Sequence, residues 1–275
     1  MSAAVVDAVH LYPTTMNTYG DRGNVAALTR RAALRGVDMR WRAVELGDEP
    51  PARADLVFMG GGQDRVQHAI ADDLLRLRPW LVEVLDDGGT VFAVCAGLQL
   101  LGRRYVAADG SELAGLGLLD LETVAAQPGE WRLIGNVVAE VESFGGRPGE
   151  GDGPRVLAGF ENHGGRTWLA TGVAPLGRVL LGFGNNGRDG GEGVDGGRIV
   201  ATYLHGPVLP KNAWLTDHLL AAALAHAGGG VLAPLSHERE DAAQLEAMRV
   251  AERDAARRRA RGPLARLRNR LRSLR

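Results

Sequence analysis

Thr90-Val91-Phe92-Ala93-Val94-Cys95-Ala96-Gly97-Leu98-Gln99 is the stretch that decides how the chain is read. A short β-prone apolar run enters a cysteine, and small residues follow at once. The run predicts a buried strand. The small neighbours, and the loss of the apolar pattern after Cys95, predict a sharp strand-to-helix turn that holds a nucleophile above the sheet. The following helix points its N-terminus at the sulfur and favours thiolate. The amide of Ala96 then faces a developing oxyanion. A lone cysteine is more often an inert core residue; the turn sequence here favours a nucleophile.

Upstream of this turn, strands alternate with helices. Val5 to Leu11, Val37 to Glu45 and Ala54 to Met59 read as strands. Asn24 to Arg35 carries Val25, Leu28 and Ala32 at helical spacing and stops at Gly36. A second helix is expected from about Arg65 to Leu85, ending at Gly88-Gly89. This alternation predicts an α/β fold with a central, mostly parallel sheet flanked by helices. Downstream, Leu133–Val141, Val156–Phe160, Leu176–Phe183 and Arg198–Leu204 read as strands between Gly-rich turns. Asn212 to His226 reads as a helix stopped by three glycines. The expected division is one domain over residues 1–230 and a C-terminal helical appendage over 231–275. That appendage ends in a basic tail with nine arginines and no acid past Ala255.

Composition narrows the function classes. The formal net charge of −1 gives no overall pull toward nucleic acid, and the low aromatic content argues against base-stacking surfaces. The single cysteine excludes an intrachain disulfide and a multi-cysteine zinc site, so no metal is expected. No apolar run approaches bilayer-spanning length, and a cytoplasmic setting is expected.

Two further stretches carry chemistry. Gly60-Gly61-Gly62-Gln63-Asp64 follows a buried strand, and glycines there let backbone amides approach an anion. A nucleotide P-loop is absent, because the only lysine is Lys211 and no Gly-Lys-Ser/Thr follows. An oxyanion donor at Gly62 is the better use; a simple tight turn is the bland alternative. Ala201-Thr202-Tyr203-Leu204-His205-Gly206-Pro207 ends a strand on a histidine, at the sheet edge where ligand-binding loops gather. His163, in Phe160-Glu161-Asn162-His163-Gly164-Gly165-Arg166, competes as the base, and spacing alone leaves the two near parity.

Together these stretches resemble class I glutamine amidotransferases of the cobyric-acid-synthase-like (CobB/CobQ-like) branch. The marks are the glycine loop, the Cys-Ala-Gly-Leu-Gln elbow and the late Tyr-Leu-His-Gly. The resemblance extends to the glutaminase subunits of lipid II isoglutaminyl synthase through Asn17-Thr18-Tyr19-Gly20-Asp21-Arg22-Gly23-Asn24, Gly115-Leu116-Gly117-Leu118-Leu119-Asp120, Arg132-Leu133 and Gly182-Phe183-Gly184-Asn185-Asn186.

The resemblance implies a class I amidotransferase fold with Cys95 as nucleophile and His205 as its base. Arg132, Gly62, Ala96 and Gln99 would then serve the substrate, L-glutamine. An arginine suits a substrate carboxylate because its fork binds both oxygens. The chain itself is expected to need no cofactor. ATP and Mg belong on a MurT-like Mur ligase partner, which would amidate the D-glutamate α-carboxyl of lipid II with the released ammonia. A lipid-linked acceptor makes contact between the basic tail and acidic lipid at the inner membrane face an expectation, beside that of a solvated tail. One departure stands out: many class I members place a glutamate two residues after the histidine, and this chain has Pro207 there. Two alternatives keep the elbow. One is a glutaminase serving a corrinoid acceptor, whose ATP-using domain usually shares the chain. The other is a stand-alone cysteine hydrolase.

Overall fold

The computed structural model of the chain describes residues 4–141 and 155–261. Its first part alternates as expected: β1 (Ala4–Leu11), α1 (Arg22–Ala33), β2 (Val37–Val44), β3 (Leu56–Met59), α2 (Asp64–Asp87), β4 (Thr90–Val94) and α3 (Ala96–Leu101). Shorter strands follow: β5 (Arg104–Val106), β6 (Glu112–Ala114), β7 (Leu121–Ala125), β8 (Leu133–Val141), β9 (Arg155–His163), β10 (Gly165–Leu169), β11 (Gly177–Leu181), β12 (Gly191–Glu192), β13 (Val194–Asp195) and β14 (Ile199–Thr202). Helices α4 (Ala213–His226) and α5 (Glu238–Arg261) close the described chain.

The central sheet runs β13-β14-β4-β3-β1-β2, and every pairing but β13 with β14 is parallel. Its inner strands β3, β4 and β14 are buried at every residue. That is why they read as unbroken apolar runs, since a strand covered on both faces has no solvent side to alternate with. From β1 the chain steps to β2 on one side, and from β3 to β4 on the other. Right-handed crossovers therefore put α1 and α2 on opposite faces. The reversal lies between β1 and β3, so a crevice opens beyond their C-terminal ends. Cys95 follows β4 there, and His205 lies just past β14.

Two smaller sheets, β10-β7-β5-β6 and β12-β11-β8-β9, pack beside the first. The short strands β5, β6 and β7 escaped the sequence reading because three to five residues show too little periodicity. The long β8–β9 hairpin pairs Leu133 with His163 and so brings Arg132 to the end of β9.

Helix α5 is tied to the domain by charge. Arg31 on α1 grips Asp217 on α4 through Nε and Nη2 at 2.6 and 2.7 Å, and reaches Glu240 at 2.7 Å. Arg35 adds a bond to the same Asp217 at 2.6 Å. Asn136 on β8 donates to Asp254 at 2.5 Å near the other end of α5. Residues 262–275, most of the basic tail, lie outside the described residues. Among the described residues no helix is long and apolar enough to cross a membrane.

Candidate active site

Cys95 sits at φ 51°, ψ −103°, between the end of β4 and the first turn of α3. A side chain other than glycine rarely adopts this left-handed φ, and the strain marks a functional elbow. Gly97 is required by the same turn: a Cβ there would meet Met59 O at 2.8 Å and Gly60 O at 3.2 Å. Ala96 is the first helical residue, so its N–H has no acceptor within the helix.

Cys95 and His205 line one cavity of about 460 Å³, together with Tyr19, Gly62, Asp64, Gln99, Arg132, Asn162 and His163. His205 is fully buried. Its backbone is fixed to β9 by two bonds with Phe160, of 2.7 and 3.3 Å. Its Nδ1 lies 3.4 Å from Asp21 Oδ1, so Nε2 is left for the thiol; that nitrogen has no hydrogen-bond partner in the resting geometry. Burial alone would lower the His205 pKa. The charge of Cys95 close to the ring, and Asp21 through the bond it accepts and its charge, outweigh it and raise the pKa to about 10.

The glycine loop has a tighter reason than ligand approach. A Cβ on Gly60 would lie 2.2 Å from Met16 O, one on Gly61 2.5 Å from His205 Cε1, and one on Gly62 2.4 Å from Met16 Sδ. The loop is glycine because the segment after β1 and the imidazole press against it. Gly62 lines the cavity.

Arg132 stands at the cavity mouth, its Nε donating to Asn162 Oδ1 at 3.0 Å and its Nη2 to Asn162 O at 3.1 Å. Asn162 Nδ2 donates in turn to the hydroxyl of Tyr19, whose ring meets His205 edge-on at 5.0 Å between centroids. Gln99 also lines the cavity, but both ends of its amide are engaged. Nε2 donates to Tyr203 Oη at 3.1 Å, and Oε1 accepts from Gln67 at 2.9 Å. The structure therefore places Gln99 in the pocket wall, with its amide committed to neighbours.

His163 reaches the same cavity in a different state. Its Nδ1 donates to Gly165 O at 2.8 Å, and burial pushes its pKa down to about 3. Its neighbour Glu161 accepts from the Phe183 and Gly184 amides at 2.8 Å each. Asp21, by contrast, is a site residue the sequence reading left unassigned. It lies in the polar segment after β1, and nothing local connects it to a histidine 184 positions away. Among the described residues no group of three or more His, Cys, Asp or Glu is placed to hold a metal ion.

A strained cysteine at a strand–helix elbow, with a buried histidine and a glycine loop on the same cavity, is the arrangement of a class I amidotransferase glutaminase. Residues 7–213 match the model of the CobB/CobQ-like glutamine amidotransferase domain, and the chain belongs to that family. Within the family it groups with the GatD subunits of glutamine-hydrolysing lipid II isoglutaminyl synthase. It is 38% identical to the subunit from Staphylococcus aureus over 222 residues, covering 80% of this chain and 84% of that one. It is 38% identical to the Streptococcus pneumoniae subunit over 220 residues, covering 80% of each. Among solved structures, the glutaminase domain of Trypanosoma brucei CTPS with bound acivicin shares the fold. Its TM-score is 0.51 at 12% identity, over 86% of this chain and 98% of that one.

Proposed function

We propose that this chain hydrolyses L-glutamine at Cys95 and supplies the ammonia to a MurT-like Mur ligase. With ATP and Mg held on its own chain, that partner amidates the D-glutamate α-carboxyl of lipid II to D-isoglutamine. The observation that carries this reading is the elbow itself. Cys95 is held in a strained left-handed conformation in one cavity with His205, in a chain that shares 38% identity with GatD subunits over four-fifths of its length.

The chemistry follows from the residues. The Cys95 sulfur attacks the side-chain amide carbon of glutamine. His205 takes the thiol proton through Nε2 and gives it to the departing nitrogen, so ammonia leaves as a thioester forms. The amides of Ala96 and Gly62 hold the oxyanion of the tetrahedral intermediate. Water, deprotonated by His205, then releases glutamate from the thioester and restores the thiol. Arg132 binds the substrate α-carboxylate and keeps the chain of glutamine pointing inward.

The purified pair, given lipid II, ATP and glutamine, should form amidated lipid II only when both subunits are present. Cys95→Ala should block amidation from glutamine but allow it from high ammonium. A mutant pair that still uses glutamine, or that ammonium cannot rescue, overturns the reading.

A further inference from the structure

We propose that Asp21 is the residue that orients His205, in place of the glutamate absent at Pro207, and that it locks the glycine loop in the same act. The inference rests on the glutaminase reading above and names a positioning residue for it.

Asp21 is fully buried, and each of its carboxylate oxygens has a separate task. Oδ1 faces His205 Nδ1 at 3.4 Å, and Oδ2 accepts from the Gly61 amide at 2.7 Å. The Gly61 carbonyl accepts from Thr18 N at 3.1 Å, so the Gly61 peptide is held at both ends by one short loop. A contact of 3.4 Å is long for a resting site, and such bonds tighten once substrate is bound.

The position of Asp21 in the fold makes this arrangement more telling. Asp21 is the N-cap of α1, where an aspartate ordinarily accepts from the helix's first free amides. It makes no such side-chain bond; Asn17 Oδ1 accepts from the Arg22 amide at 2.8 Å instead, and the Asp21 carboxylate turns into the site. Among the described residues no other acid is hydrogen-bonded to His205. Glu192 is held by Thr202 Oγ1 and Tyr203 N at 2.5 and 3.0 Å, both on Oε1, and makes no hydrogen bond to His205. Glu161 is spent on the Phe183 and Gly184 amides. The loop can carry Asp21 because it leaves β1 beside β3, at the point where the sheet order reverses.

A carboxylate at Nδ1 fixes the imidazole tautomer that presents Nε2 to sulfur, and stabilises the imidazolium formed during attack. The groups facing His205 are Cys95 and Asp21, with Tyr19 edge-on and His163 and Glu192 as weaker electrostatic neighbours. Of these, Asp21 alone is an acid bonded to the ring.

The test is Asp21→Asn in the full chain with its ligase partner, read by glutamine hydrolysis across pH. The asparagine keeps size and an acceptor for Gly61 but loses the charge. The turnover number should fall about 10²-fold or more with KM little changed. The alkaline limb of the profile, where the imidazolium is lost, should move to lower pH, because the charge that sustained it is gone. Asp21→Glu should recover part of both. An unshifted alkaline limb, or near-normal turnover in Asp21→Asn, overturns the proposal. Wild-type protein that fails to hydrolyse glutamine refutes the glutaminase reading itself, so the two failures are distinct.

Discussion

The ring of His163 lies flat against that of Tyr203, 3.7 Å between centroids and 16° between planes. The stack fixes His163 in the pocket wall, while its Nδ1–H is committed to Gly165 O and its pKa lies near 3. A base that stays neutral and is clamped on one face cannot shuttle the thiol proton. His205, at about 10 and bonded to Asp21, can hold it. His205→Ala should therefore abolish glutamine hydrolysis, and His163→Ala should cost far less turnover. A reversed order in steady-state ammonia release would make His163 the base.

Cys95→Ser should leave the fold intact and remove measurable ammonia release. A hydroxyl is a far weaker nucleophile than a thiolate at neutral pH. Circular dichroism should match that of the wild type. Substantial hydrolysis by the serine variant would remove Cys95 from the mechanism.

Arg132 owes its orientation to Asn162, which accepts from both Nε and Nη2. Arg132→Lys keeps the charge but loses the planar fork, and should raise the KM for glutamine. Asn162→Ala frees the guanidinium and should raise KM in the same direction, with a smaller effect on turnover. Wild-type kinetics in both variants would return Arg132 to the role of a solvated surface charge.

Glu192 is fully buried, and its Oε2 has no hydrogen-bond partner. Burial, with the charge of Glu161 adding to it, raises its pKa from 4.5 to about 7. Between those values the folded group is protonated while the unfolded one is ionised. The extra stability of the acid form is thus present below about 4.5 and lost as pH rises through 7. Glu192→Gln lacks this loss. Its melting temperature relative to wild type should rise between pH 5 and pH 8, by the equivalent of about 3 kcal/mol at most. A difference that stays flat with pH would show that Glu192 is ionised throughout.

Asp217 joins α1, α4 and, through Arg31, α5. Asp217→Ala would leave the buried Arg31 guanidinium without its two-point partner. Breaking such a pair costs about 3 kcal/mol, because the remaining charge stays desolvated. Chemical denaturation should show that loss, while the KM for glutamine is unchanged.

The sequence by itself determined the central sheet and singled out Cys95 as the candidate nucleophile. β3, β4 and β14 are buried on both faces, so their apolar runs were legible, β4 to the residue and β3 and β14 to within two residues at each end. The Cys-Ala-Gly turn is a local device whose φ strain is written in its small neighbours. Residue spacing left His205 and His163 near parity, the family resemblance favoured His205, and only the tertiary structure shows how their surroundings differ. Both follow strands and both reach the cavity; what separates them is a buried carboxylate beside one and a stacked ring against the other. The same holds for Asp21, whose partners are Gly61, 40 residues away, and His205, 184 away. Local sequence carries strand period and turn chemistry, but a bond across the topological switch point exists only after parallel strands distant in the chain have been laid side by side. The glycine triplet shows both levels at once. Its composition announced a close approach, and the fold revealed that the approaching groups are Met16 and His205.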